Sequence, residues 1–198
     1  MGSSSTPSNR QGKGGLDWDS LKKHPAVLVT LDEQVQDSCL LRLAHGLDST
    51  RTKTAVLCFN HTAAMLIEDF RRVGLKIGNF VFIDTLCPGK GEAPERCVVL
   101  NTLGPLDLDA LLALVSEACA SHGCRVVLID SLSSLLSFQK RHQVLSFING
   151  LKRELLRTSL GRMVVFAVRK DSFPEEGGRR LLIDLEMFVD KSFALAKD

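Results

Sequence analysis

The sequence predicts an α/β protein: a mostly parallel sheet with helices on both faces. Three observations carry that expectation. First, short apolar runs recur along the chain, and Val126-Val127-Leu128-Ile129, flanked by Arg125 and Asp130, is the clearest. Runs this brief and this uniformly apolar suit strands buried on both sides. Second, they alternate with stretches whose apolar residues recur at spacings of three and four, as helices require. Third, strand and helix patterns in alternation imply parallel crossovers that lay helices over both faces of one sheet.

Taken in order, Pro25 to Thr30 is the first strand. Val35, Cys39, Leu40, Leu43 and Leu47 mark the helix behind it. Ala55 to Phe59 is a second strand. A helix follows from about Thr62 to Val73, with Leu66, Phe70 and Val73 on one face and Gly74 as its stop. Phe80 to Asp84 and Cys97 to Leu100 are further strands, separated by a Pro- and Gly-bearing loop over Cys87 to Glu95. Leu106 to His122 reads as a helix. The Asp130 strand comes next, and then a long amphipathic helix near Arg141 to Thr158, with Val144, Phe147, Ile148, Leu151 and Leu155 as its apolar stripe. A strand from Arg162 to Val168, a loop over Pro174 to Gly178, a helix near Arg180 to Phe188 and a strand from Ser192 to Ala196 complete the series.

The chain has 198 residues, 44% hydrophobic and 24% charged. That is ordinary globular material with enough apolar surface for one core. Residues 1–20 are expected to form a disordered N-terminal tail, rich in Gly and Ser, with Trp18 marking where order begins. Residues 21–198 form a single domain without internal repeats. The net charge of +2 points to neither nucleic acid nor an anionic membrane. Six scattered cysteines, without a CxxC motif, read as buried free thiols. No apolar run approaches the roughly 20 residues that span a bilayer. A cytoplasmic protein is the expectation.

Asp130 ends its strand at the edge where open α/β sheets bind ligands. In nucleoside-triphosphatases an Asp in this position holds magnesium. Such a site also needs a phosphate cradle after the first strand: glycines whose backbone N–H groups wrap the phosphates, a Lys, and a Ser or Thr hydroxyl for the metal. Thr30-Leu31-Asp32-Glu33-Gln34-Val35-Gln36-Asp37-Ser38 contains no Gly and no Lys. Asp32 and Glu33 fall where the next helix begins, so they satisfy its positive end and repel phosphate. Gly12-Lys13-Gly14 and Gly89-Lys90-Gly91 neither follow a strand nor open a helix, and flexible turns explain them.

The second strand runs into Asn60 and His61, where an ATPase of this design would carry a water-activating carboxylate. Asn cannot accept a proton, and His61 has no orienting partner visible nearby in sequence. Helix capping by Asn60 or Thr62 is the simpler reading. Ser131, Ser133 and Ser134 have no G-x-S-x-G elbow around them. Cys119, His122 and Cys124 sit at a helix end running into a buried strand, where packing and capping account for them. No metal site, cofactor or catalytic residue is assigned. Asp130 can instead hold its own following turn by an Asx hydrogen bond.

The segments Phe82-Ile83-Asp84-Thr85, Cys97-Val98-Val99, Val127 to Leu136, Val144 to Leu151 and Phe188-Val189-Asp190-Lys191 resemble, in content and order, the RecA/KaiC-like ATPase superfamily. The likeness is to archaeal members without the phosphate loop, and also to the non-catalytic RecA-like subunits of the Elongator complex. It spans roughly residues 24 to 196, with the Asp130 segment the distinctive part. The resemblance implies a RecA-like sheet, and it places Asp130 at the family's magnesium (Walker B-like) position as the one cofactor-binding candidate. The family's phosphate-loop Lys and Thr have no counterpart, and Asn60 and His61 replace its acidic pair. Relatives form rings, which implies a homo- or hetero-oligomer.

Three functions follow as expectations. The first is a non-catalytic pseudo-ATPase acting as an assembly or regulatory module. The second is an atypical NTPase drawing positive charge from Lys22, Lys23 or Lys53. The third is a nucleic-acid-binding subunit using Arg71-Arg72, Lys152-Arg153 and Arg179-Arg180. The eroded phosphate loop beside an intact Asp130 strand favours the first.

Overall fold

The computed structural model describes residues 21–31, 36–86, 97–99, 106–157, 162–169 and 182–195. Seven strands form one sheet in the order β4-β3-β2-β5-β6-β1-β7. They are β1 (Ala26–Leu31), β2 (Thr54–Cys58), β3 (Phe80–Asp84), β4 (Cys97–Val99), β5 (Val126–Asp130), β6 (Met163–Arg169) and β7 (Lys191–Leu195). Every pairing is parallel. The predicted fold class is therefore the observed one, and the Asp130 strand is the middle strand of the seven.

Helices cover both faces, which is why the strands read as uniformly apolar. One face carries α1 (Gln36–Ser49) and α2 (Ala63–Arg72). There Leu40, Leu43, Leu66 and Phe70 pack on Val27, Val29, Val56, Leu128 and Val165. Phe70 meets the rings of Phe80 and Phe82 edge-on at 4.9 and 5.5 Å, a favoured aromatic geometry. The opposite face carries α3 (Leu108–His122), α4 (Leu132–Phe138) and α5 (Arg141–Arg157). Leu111, Val115, Val144, Ile148 and Leu151 fill it against Leu28, Leu57, Val127 and Ile129. A short α6 covers 182–186, and Arg141 at the start of α5 pairs with its Asp184.

Local chemistry sets the element ends. Thr62 caps α2 by accepting from Met65 N, and the chain leaves that helix through Gly74 at φ +79°, a conformation glycine adopts without a Cβ penalty. Asp107 caps α3 by accepting from Asp109 N at 2.9 Å and Ala110 N at 3.1 Å. That cap moves the helix start from the expected Leu106 to Leu108. Helix α4 was not expected: seven residues containing three serines are too short to display a period and have weak helix propensity. It forms because Leu132 and Leu135, three apart, both bury in the core.

The 1–20 tail, Asp32 and Glu33 as helix-capping acids, the 87–95 and 174–178 loops, the two glycine–lysine clusters and Arg179-Arg180 lie outside the described residues. Among the described residues no helix is long and apolar enough to cross a membrane.

Candidate functional site

The strand order creates one crevice. After β2 the chain proceeds to β3 on one side, and after β5 it proceeds to β6 on the other. Adjacent strands whose connections diverge leave a gap between them at their carboxyl ends, where ligands of open α/β sheets bind. Cys58 and Asp130 are register partners at that point.

Backbone and side chain converge there. Phe59 N and Asn60 N both donate to the Asp130 carbonyl, at 2.7 and 3.2 Å. This holds the Asn60-His61 segment over the end of β5. His61 Nδ1 then lies 2.9 Å from Asp130 Oδ2. Asp130 is 1% exposed and the His61 side chain 15%, so the pair sits in a low-dielectric setting where a hydrogen bond to a carboxylate is strong. The Asp130–Ser131 peptide is cis.

Around this pair the polar groups are tied to one another. Asn60 Oδ1 accepts from Ser134 Oγ at 3.1 Å. Ser133 Oγ accepts from Arg169 N at 2.8 Å, joining the start of α4 to the end of β6. On the next strand Asp84, 3% exposed, accepts from Ala63 N at 2.7 Å and from Leu86 N at 2.9 Å. It thereby serves the start of α2 and the turn after β3 together. Thr85 Oγ1 donates to the Cys58 carbonyl at 2.7 Å. Ser131 Oγ is buried without a hydrogen-bond partner.

A cavity of about 350 Å³ opens beside the network, with Asn60, Leu86, Ser133, Ser134, Phe138 and Arg169 among its walls. Phe138 is 74% exposed at its rim. The arrangement can orient an imidazole and offer amide and hydroxyl groups to a small polar ligand. Among the described residues no three His, Cys, Asp or Glu side chains are grouped to hold a metal ion. Cys39, Cys58, Cys119 and Cys124 are buried free thiols, as their apolar settings predicted.

The reading of His61 changes. Asp130 Oδ2 is bonded by His61 from the segment that follows β2, a contact not expected from the sequence. His61 has an orienting partner after all, 69 positions away in sequence and therefore invisible to local reading. Of the two capping candidates, Thr62 caps α2 while Asn60 bonds Ser134. Asp84 and Arg169 were not singled out from the sequence. Asp84 carried the same signal as Asp130, an acid closing an apolar strand. Arg169 had none, because only strand pairing brings it to the crevice.

No protein-family model matches the sequence, and no curated protein matches it. Solved structures do match in fold. The KaiC-like protein PH0186 from the hyperthermophilic archaeon Pyrococcus horikoshii OT3 superposes with a TM-score of 0.61 at 14% identity, covering 92% of this chain and 78% of that one. The flagellar accessory protein FlaH from Methanocaldococcus jannaschii superposes with a TM-score of 0.54 at 18% identity, covering 91% and 78%. The chain thus has the RecA-like α/β fold of these KaiC-like and FlaH structures.

Proposed function

We propose that the protein is a non-catalytic RecA/KaiC-like module, a pseudo-ATPase that serves assembly or regulation within an oligomer. The observation that carries this reading is the Asp130–His61 hydrogen bond at 2.9 Å on a carboxylate that is 1% exposed. A magnesium-holding carboxylate must present its oxygens to the metal or to the metal's waters. Here one oxygen is committed to an imidazole. The sequence adds support, since Thr30 to Ser38 has neither the Gly nor the Lys of a phosphate cradle. Titration of the full chain with a fluorescent ATP analogue and magnesium tests the reading. The expected result is no saturable binding that depends on Asp130, and a solution mass above the monomer that ATP leaves unchanged. Tight binding abolished by Asp130→Ala overturns it.

The same pair favours one second reading. An imidazole oriented by a buried carboxylate has the layout of a general base. In an atypical NTPase of that kind His61 would activate water. Phosphate release from ATP that disappears in His61→Ala would establish this reading in place of the first.

A further inference from the structure

The last turn of α3 and the entry to β5 bring two thiols together. Gly123 leaves α3 at φ +68°, and Cys124 N donates to the Cys119 carbonyl at 3.0 Å. This is the backbone closure of a Schellman motif, in which the residue after the glycine packs its side chain back onto the last helical turn. Cys119 and Cys124 accordingly meet in one core cluster, 0% and 1% exposed. Their thiols hydrogen-bond to each other, the Cys119 S–H donating to the Cys124 sulfur. That bond, with burial, raises the Cys119 thiol above its ordinary pKa and holds the Cys124 thiol below its own. Cys39 and Cys58 are placed differently: they donate to the backbone carbonyls of Leu195 and Val56.

The backbone sets a separation that a disulfide accepts. A main-chain hydrogen bond of 3.0 Å leaves the two α-carbons at most about 7 Å apart by standard bond lengths, and disulfides span about 4.4–6.8 Å between α-carbons. Cations stand beside the second thiol. Arg125 N donates to the Lys53 carbonyl at 2.9 Å, and Met163 N donates to the Arg125 carbonyl at 2.8 Å. The entries to β2 and β6, with Lys53 and Arg162, thus flank the entry to β5. Both charges favour the Cys124 thiolate against the effect of burial. Arg162 is itself 6% exposed, so water screens its charge little. A thiolate is the attacking species in disulfide exchange. The pair also lies just beneath the surface: Ala120, Ser121, Gly123 and Arg125 are exposed, and helix ends fray.

We propose that Cys119 and Cys124 form a redox-active dithiol, which a low-molecular-weight disulfide converts reversibly into an intramolecular disulfide, with Cys124 attacking and Cys119 resolving. In the first step the Cys124 thiolate attacks one sulfur of the oxidant. A mixed disulfide forms at Cys124, and one thiolate leaves. In the second step Cys119 gives its proton to solvent and attacks the Cys124 sulfur, expelling the other thiolate. The two protein thiols lose two electrons and two protons, and the oxidant is reduced to two thiols. The new bond ties the end of α3 to the entry of the middle strand. The inference is independent of the pseudo-ATPase reading, because Cys124 precedes β5 while Asp130 ends it.

Mass spectrometry of the full chain tests it. The reduced protein is exposed in native buffer to glutathione disulfide, then unfolded in acid, alkylated and digested. Trypsin releases residues 97–125, which also hold Cys97, so fragment ions place the bond. Within about an hour the expected product is a Cys119–Cys124 disulfide free of glutathione, which excess dithiothreitol returns to two thiols. Cys119→Ala is expected to retain glutathione on Cys124, because nothing resolves the mixed disulfide. Cys124→Ala is expected to react at Cys119 at least about tenfold more slowly. Lys53→Gln, at an exposed position outside the core, is expected to slow disulfide formation and keeps the test open should the core variants unfold. Both cysteines alkylated after oxidation, a bond from either one to another cysteine, glutathione retained on the unsubstituted chain, equal rates in the two alanine variants, or an unchanged rate in Lys53→Gln each overturns the proposal.

Discussion

The two ends of the sheet solve opposite problems with the same material. At the strand ends, acids are buried and each carboxylate is hydrogen-bonded: Asp84 to two backbone N–H groups and Asp130 to His61. At the strand starts the cations Lys22, Lys23, Arg51, Lys53 and Arg125 are exposed, and backbone bonds link Lys53, Arg125 and Pro25 to neighbouring strands. A buried polar group costs free energy unless it is partnered, so its partner becomes part of the fold. An exposed charge costs little, so it remains available to something outside the fold. The first end is where mutation should damage the structure, and the second is where it should damage an interaction.

The contrast can be broken most directly at Asp84. Asp84→Ala leaves two backbone donors without their acceptor and is expected to cost about 3 kcal/mol in urea unfolding. A loss below about 1 kcal/mol would mean that the strand-end acids are not structural. Asp130→Ala should come next, at about 2 kcal/mol, because its partner His61 retains some contact with water. A double-mutant cycle with His61→Ala sharpens this point, with a coupling of at least about 1 kcal/mol expected for residues in direct contact. Thr62→Ala removes the α2 cap and is expected to cost about 1 kcal/mol, read as a shift of the urea midpoint without a change in slope. Arg125→Ala, at the other end, should change stability by no more than about 0.5 kcal/mol. A larger loss would show that Arg125 is part of the scaffold.

How much of this was legible beforehand depends on the range of the interactions. The strand over Phe80 to Asp84 and the strand ending at Asp130 fall where the apolar runs place them, because burial on both faces leaves a purely local mark. Gly74 stops its helix with positive φ, as read from the sequence, which is also a one-residue signal. Helix α4 escaped because its two buried leucines make sense only once the core is assembled. The crevice was half legible. Asp130 stood out as an acid closing a strand, but the residue that bonds it comes from β2, and sequence spacing carries no information about which strands lie side by side. The basic row was hidden for the same reason, and a total charge of +2 averaged it away.

The sequence alone determined the fold class and the order and approximate bounds of most elements. These depend on local hydrophobic period, capping and composition, which each segment carries with it. Only the tertiary structure decided that β5 is the middle strand, that His61 meets Asp130, and that Lys22, Lys23, Arg51, Lys53 and Arg125 share one edge. Those outcomes follow from strand order, which is set by how all the apolar faces bury together rather than by any one of them.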